Sequence, residues 1–133
     1  MCAPTLRKAA AVGAGCFLIM GAGAGLASGE TPEEASQRAL VECGEGNLCV
    51  WDDANYTGHM LVYYYCDPPD LFDEFPDGQA GSWLNHQTGS AVAVFYGPDP
   101  NNPDPPWPEQ YRSTAPEDSP DNKGLDLRSV DPC

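Results

Sequence analysis

Two aromatic residues and a glycine, Trp51, Tyr56 and Gly58, constrain the fold of this chain more than any other feature. Apolar, β-branched and aromatic residues flank them at positions 48–50 and 60–65, as is typical of strands. The polar residues between Trp51 and Gly58 favour a tight turn, and glycine suits a backbone reversal. The sequence therefore predicts two strands joined by a folded hairpin in which Trp51 and Tyr56 pack together.

Residues 1–27 have the features of a secretory signal peptide. Arg7 and Lys8 form a short positive region, residues 9–26 carry no charge, and small residues close the stretch. A lipoprotein signal at Cys16 is the alternative, but apolar residues follow that cysteine where a lipoprotein becomes polar. We therefore expect a secreted, extracellular protein.

The chain is strongly acidic, with 20 acidic and 6 basic residues and a net charge of −14. Cleavage after residue 27 would leave 4 basic against 20 acidic residues, a net charge of −16. Such a surface repels nucleic acids and anionic membranes. We expect neither as a partner once the signal is removed, and we expect a monomer. A solvated acidic surface explains the charge, and a cationic or metal-bearing partner is the alternative.

Four cysteines lie beyond the signal segment: Cys43, Cys49, Cys66 and Cys133. In an exported chain they predict two disulfides. Cys43 and Cys49 bracket a glycine-containing turn and can close a local loop, which leaves Cys66 to pair with Cys133. A zinc site is the alternative, but the chain has no Cys-x-x-Cys pair.

Residues 28–42 are predicted to form a flexible leader before a single domain over residues 43–133. Thr31 and Glu34 have the spacing of a capping box, and a proline stands at the first helical position, so a short helix over residues 32–40 is expected. Its apolar content is thin for a buried face.

The rest of the chain indicates an all-β sandwich or barrel-like fold, because short strand candidates follow one another with almost no helical periodicity. The candidates lie at residues 83–84, 90–96, 111–113 and 125–130. Residues 97–107 are rich in Pro, Asn and Asp and favour an extended polyproline conformation.

An internal repeat relates the two halves. Residues 77–85 align with residues 121–129, and each segment ends a unit that opens with a strong strand. The distance along the chain from Trp51 to Trp83 equals that from Phe95 to Leu127. Two four-strand units that share a core would account for this repeat.

The stretch from Trp51 to Gly58 resembles the βγ-crystallin signature: an aromatic residue, four residues, an aromatic residue, one residue and glycine. With the Cys-x5-Cys pair, the signal segment and the two-unit length, the chain looks like the secreted bacterial peptidase-inhibitor family. The best-known inhibitor of that family acts on metalloproteinases of the thermolysin type. The resemblance implies a two-unit Greek-key β-sandwich of βγ-crystallin type, and a secreted inhibitor that docks a loop on an extracellular peptidase.

The second unit departs from that pattern. No aromatic-x-Gly follows Phe95 or Tyr96, and residues 97–108 replace the hairpin. The inhibitory family presents a short disulfide-closed loop in its second half, which cannot be carried over because only Cys133 follows Cys66.

Trp107, Tyr111 and Arg112 are the candidate partner-binding residues, on or next to the proline-rich insertion. An aromatic side chain on a stiff loop loses little entropy when it docks. The alternative is a variable surface insertion whose tryptophan folds back onto the sheet.

A degraded calcium motif is the candidate metal site. The crystallin pattern places Asn/Asp and Ser/Thr residues on a loop, and calcium needs several oxygen ligands. Asp77 and Ser82 match in the first unit, and Asp121 and Asn122 match in the second. The departures are Gly78, Gly81, Leu125 and Asp126. Calcium is therefore allowed but not required, and a calcium-stabilised or purely structural module without inhibitory activity is the alternative function.

We expect no enzymatic activity. Ser82 and Ser90 do not stand in a nucleophile-elbow pattern, and neither His59 nor His86 has a visible nucleophile partner.

Overall fold

The computed structural model describes residues 29–64 and 66–133, so the predicted signal peptide and the alternative at Cys16 lie outside the described residues. Within these ranges no helix is long and apolar enough to cross a membrane. The elements are α1 Pro32–Cys43, β1 Leu48–Asp53, β2 Thr57–Tyr63, β3 Asp70–Leu71, β4 Ser82–Asn85, β5 Val92–Tyr96, β6 Glu109–Thr114, β7 Glu117–Ser119 and β8 Ser129–Asp131.

The strands form two four-stranded antiparallel sheets, which confirms the all-β prediction. The first sheet has the order β2-β1-β4-β7 and the second the order β3-β8-β5-β6. The first unit comprises strands β1 to β4, and the second comprises β5 to β8. The third strand of each unit lies in the sheet of the other unit: β3 pairs with β8, and β7 pairs with β4. Each sheet is therefore completed by a strand from the other half of the chain.

The main core combines side chains from both halves. Trp83 of β4 and Phe95 of β5 are fully buried, and their ring centroids are 4.8 Å apart. The other buried members of this core are Leu48, Val50, Tyr63, Phe72, Phe75, Ala80, Ala93, Leu127 and Val130. Burial of this apolar surface is the main driving force for folding.

The predicted strands at residues 83–84 and 111–113 fall in β4 and β6, and the one at residues 90–96 overlaps β5, which begins only at Val92. The predicted last strand over residues 125–130 is too long, because pairing begins only at Ser129. Strands β3 and β7 were not expected, since they are short and acidic and have no apolar alternation.

The predicted hairpin is present between β1 and β2. The rings of Trp51 and Tyr56 meet edge to face, with centroids 5.4 Å apart. Gly58 has a φ of 83°, and a Cβ atom at this position would collide with the side chain of Asp52. Glycine is therefore required there by both the backbone conformation and the available space.

The hydroxyl of Ser82 holds this hairpin closed. Its Oγ accepts a hydrogen bond from the backbone N–H of Tyr56 at 3.0 Å and donates to the carbonyl of Asp53 at 2.7 Å. Ser82 itself is fully buried. A single side chain thus satisfies two backbone groups of the turn.

Strand pairing corrects the alignment of the two units. Ser82 pairs with Trp51 in the first sheet, and Ser129 pairs with Tyr96 in the second. Ser129 is therefore the equivalent of Ser82, and the expected alignment of Ser82 with Asp126 is wrong. That alignment rests on turn residues, which lie outside the paired strands.

Helix α1 is packed on the first sheet, so the prediction of a flexible leader without a buried face is wrong. The capping box is present, with Thr31 and Glu34 bonding each other's backbone N–H. Ala35 and Ala39 are buried in a second apolar cluster that contains Trp51. Alanine suffices because its small side chain lets the helix approach the sheet closely.

Two side chains, Arg38 and Ser36, and a disulfide also hold α1 in place. Arg38 donates to the carbonyls of Tyr56 at 2.9 Å and Asn55 at 3.3 Å, and it forms an ion pair with Glu30. Ser36 donates to Asp118 of β7 at 2.8 Å. The third contact is the disulfide at the end of the helix.

Both predicted disulfides are confirmed. Cys43 is bonded to Cys49, which joins the end of α1 to β1. Cys66 is bonded to Cys133, which joins the connection after β2 to the residues after β8. The zinc alternative is therefore excluded for these cysteines.

The Ser82→Ala substitution should lower the free energy of unfolding by about 1–3 kcal/mol, because it leaves two backbone groups of the hairpin without partners. Urea unfolding followed by tryptophan fluorescence measures this change. The matched control is Ser129→Ala at the equivalent position, where the hydroxyl is half-buried and has no hydrogen-bond partner among residues 29–64 and 66–133. The control should stay within about 0.5 kcal/mol of wild type, and equal losses in both variants would contradict the role of Ser82.

Candidate functional site

The longest connection between strands in the described chain runs from residue 97 to residue 108, between β5 and β6. We call it the 97–108 loop. Most residues from 100 to 106 are exposed, whereas Trp107 and Pro108 are half-buried. Loops that project from a rigid sheet are the usual carriers of binding function.

The tip of the 97–108 loop is a closed turn. Asp99 and Asn102 exchange backbone hydrogen bonds of 3.2 and 3.1 Å. The Oδ1 atom of Asp99 also accepts from the backbone N–H groups of Asn101 at 2.6 Å and Asn102 at 2.8 Å. An aspartate that captures N–H groups two and three residues ahead is a common way to fix a turn.

Two side chains brace the second half of the loop. Asn102 donates from Nδ2 to the carbonyl of Pro106 at 2.8 Å, and Trp107 donates from its indole Nε1 to the carbonyl of Pro103 at 3.1 Å. The expected extended polyproline conformation is therefore wrong for the tip, because polar side chains fold the backbone back on itself.

The base of the loop is fixed on the sheet. The N–H of Gly97 donates to the carbonyl of Pro108 at 3.2 Å, and Gln110 donates from Nε2 to the carbonyl of Gly97 at 3.2 Å. Gly97 is buried against the carbonyl of Asp126, where a Cβ atom would not fit. The loop thus leaves the domain at one defined point.

Tyr111 lies in β6 rather than on the loop, at the margin of the core. Its ring packs on Trp83 with centroids 5.3 Å apart, and the ammonium of Lys123 lies 5.3 Å from the ring centroid. Its hydroxyl donates to Glu117 at 2.6 Å. This hydrogen bond, with burial as the second cause, raises the pKa of Tyr111 to about 12.

Arg112 lies on β6 with an exposed side chain that is paired with Glu109. Two contacts of 2.6 Å join the guanidinium to both carboxylate oxygens, and the pKa of Arg112 is raised by this hydrogen bonding. Whether Trp107, Tyr111 and Arg112 contact a partner stays a prediction.

Every arginine and lysine in the described ranges forms an ion pair. Besides Arg38 and Arg112, Lys123 lies 3.9 Å from Glu117, and Arg128 pairs with Asp126. The remaining carboxylates therefore dominate the surface charge.

Sequence reasoning missed Asp99, Asn102 and Lys123. A signal for the first two was present, because Asp and Asn two to three residues apart among prolines are typical of side-chain-fixed turns. The sequence held no comparable signal for Lys123, whose contact with Trp83 and Tyr111 depends on the packing of distant segments.

The candidate calcium residues mainly serve the fold. Ser82 is used by the hairpin, and the Asp77 carbonyl accepts from Arg128 at 2.8 Å. The side chains of Asp121 and Asn122 accept from the N–H groups of the turn that follows them. No three His, Cys, Asp or Glu side chains gather as a metal site in the ranges that the structure covers. That calcium is allowed but not required at these positions stays a prediction.

Both histidines pair with aspartates. His59 lies 3.0 Å from Asp52, and His86 lies 3.0 Å from Asp118. Ser36 donates to the other oxygen of Asp118, so the hydroxyl and the imidazole bind opposite sides of one carboxylate. In a catalytic triad the imidazole instead contacts the serine directly.

The two antiparallel sheets, the two disulfides and the braced loop place this protein among small, disulfide-bonded β domains. Residues 36–103, which make up half of the chain, match the family model of peptidase inhibitor family I36. The chain belongs to peptidase inhibitor family I36. No curated protein and no solved structure matches it.

Family membership makes a peptidase the partner class and agrees with a protein that is not itself an enzyme. With the two disulfides it is also consistent with an extracellular location. The matched segment begins inside α1 and ends inside the 97–108 loop.

The hydrogen bond between Tyr111 and Glu117 should make the free energy of unfolding depend on pH, with a fall at high pH. The pKa of Tyr111 is about 12 in the folded protein against an ordinary value of 10.0. The raised pKa therefore adds stability that is fully present below pH 10 and is lost between pH 10 and pH 12. Urea unfolding at pH 8, 10 and 11 should show a smaller fall for Tyr111→Phe than for wild type.

The control for this experiment is Tyr64→Phe, which removes an exposed tyrosine hydroxyl. It should lose stability with pH as wild type does. An identical fall in Tyr111→Phe and wild type would contradict the assigned role of the hydrogen bond to Glu117.

Calcium should leave the melting temperature unchanged, because the Ser82 hydroxyl is already engaged and Gly78 and Gly81 supply no side-chain oxygen. Differential scanning calorimetry in millimolar calcium and in chelator measures this. Magnesium at the same ionic strength is the control. A rise of several degrees specific to calcium would show that the degraded motif still binds the ion.

Proposed function

We propose that this protein inhibits an extracellular peptidase by docking the 97–108 loop on the enzyme. Membership of peptidase inhibitor family I36 supplies the partner class. The observation that supports this loop as the contact is its closed, braced and exposed conformation.

Rigidity is the property that favours docking. Ordering a flexible loop on binding costs conformational entropy, and a loop fixed beforehand avoids most of that cost. The loop is fixed from within by the hydrogen bond that Asp99 accepts and by those that Asn102 and Trp107 donate. Gly97 fixes its base. The prolines among its residues further restrict the backbone.

The other long connection is less suited to project. Residues 72–81, between β3 and β4, are anchored by Phe72 and Phe75, which are both buried in the main core. That segment is held on the domain surface by its own side chains, whereas most residues from 100 to 106 in the 97–108 loop are exposed.

A metalloproteinase of the thermolysin type is the first target to test. This choice follows from the resemblance of the chain to the secreted bacterial inhibitors, whose best-known member acts on such enzymes. Subtilisin-like and trypsin-like peptidases are the next classes.

We further propose that the fold is a Greek-key sandwich of βγ-crystallin type. The hairpin of Trp51, Tyr56 and Gly58, its closure by Ser82 and the exchange of β3 and β7 all support this assignment. Secretion through residues 1–27 and a monomeric state complete the proposal.

The decisive experiment measures inhibition constants of the mature protein against these three peptidase classes. Wild type should inhibit at least one of them at micromolar concentration or below. Asp104→Arg should weaken that inhibition at least tenfold, because it places a long cation on the exposed tip of the loop. A tenfold loss corresponds to about 1.4 kcal/mol.

The matched control is Asp73→Arg, which makes the same charge change on an exposed residue of the connection between β3 and β4. It should stay within about twofold of wild type if the 97–108 loop is the contact. Equal losses in both variants would argue for a charge effect instead of loop docking. No inhibition of any class at micromolar excess would leave the purely structural module as the function.

A further inference from the structure

We propose that Asp99 protects the 97–108 loop from hydrolysis, so that a docked peptidase meets an inhibitor and not a substrate. This inference rests on the proposed docking of that loop. Resistance to hydrolysis separates an inhibitory loop from an ordinary exposed loop, and we assign this property to the side chain of Asp99.

Proline residues protect almost every peptide bond of the loop from cleavage. The prolines at positions 98, 100, 103, 105, 106 and 108 stand on one side of every peptide bond between residues 97 and 109 except Asn101–Asn102. Proline has no N–H and a fixed φ, so few endopeptidases accept it next to the bond that they cut. Asn101–Asn102 is therefore the one bond in the loop without this protection.

That bond also lies where proteolysis concentrates. Asn101 is exposed at the tip of the turn, and exposed loop tips are the preferred sites of nicking. Hydrolysis would add a hydroxyl to the carbonyl carbon of Asn101 and a proton to the nitrogen of Asn102. Without a further restraint this single bond would make the loop a substrate.

Asp99 supplies the restraint. Its Oδ1 accepts from the N–H groups of both residues of the bond, at 2.6 Å from Asn101 and 2.8 Å from Asn102. The nitrogen of Asn102, which would leave in hydrolysis, also donates to the Asp99 carbonyl at 3.1 Å. Peptidases bind their substrates as extended strands that pair through the backbone. Extension of this segment would require these bonds to break together.

The prediction concerns the rate and the position of cutting. A subtilisin-type endopeptidase of broad specificity is incubated with each variant, and products are followed by intact mass and by mass mapping after reduction. Asp99→Ala should be cut between Asn101 and Asn102 at least tenfold faster than wild type. Asp99→Asn keeps an Oδ1 acceptor and should stay within about threefold of wild type, which a purely electrostatic role would not allow.

Two further variants make the test specific. Asp104→Ala removes a carboxylate from the same loop that accepts no backbone N–H among the described residues, and it should remain resistant. The double variant Asp99→Ala/Asn101→Pro places proline at the last unprotected bond and should regain resistance. Melting temperatures within a few degrees of wild type confirm that cutting reports the loop and not global unfolding.

Cutting of wild type and Asp99→Ala at the same rate, or cutting of Asp99→Ala only elsewhere, would overturn the proposal. The assay does not require inhibition, so it gives a result even if no peptidase is inhibited. Where wild type does inhibit, inhibition by Asp99→Ala should fade over hours while that of wild type persists. Failure of inhibition with an intact cutting pattern would contradict the proposed function alone.

Discussion

The exchange of the third strand between the two units is the constraint on which the rest of this structure depends. Because β3 completes the second sheet and β7 completes the first, neither unit has a full sheet of its own. The shared core, with Trp83 against Phe95, joins side chains from both halves. Neither half of the chain can therefore complete its sheet without a strand from the other half.

The two units differ in the connection between their first two strands. The first unit closes its hairpin over Ser82, and the turn there serves the fold. In the second unit the hydroxyl of the equivalent Ser129 makes no hydrogen bond within the described ranges, and the connection is longer and braced by its own side chains. The first connection is thus tied into the fold by Ser82, whereas the second projects from the sheet as the 97–108 loop.

The sequence predicted the features that depend on the local pattern of residues. It missed the features that depend on contacts with distant segments of the chain. The hairpin and strands β4 and β5 were predictable because apolar and aromatic residues are concentrated there, whereas β6 offered only Tyr111. Strand β7 was not, because its acidic residues gain strand structure only by pairing with β4. The buried face of α1 consists of alanines, which carry little hydrophobic signal. At the candidate site, the loop was predicted from its prolines, but its closed shape depends on hydrogen bonds that the Asp99 carboxylate accepts and the Asn102 side chain donates.

The bond between Cys66 and Cys133 has a consequence for any cut in the second half of the chain. The bond makes residues 66–133 a covalent ring, and both strands next to the 97–108 loop lie inside it. Hydrolysis of one peptide bond in the ring opens it without releasing a fragment, because the sulfur atoms still join the two pieces. A nicked molecule would gain the mass of one water, and its two pieces could separate only after reduction of this disulfide.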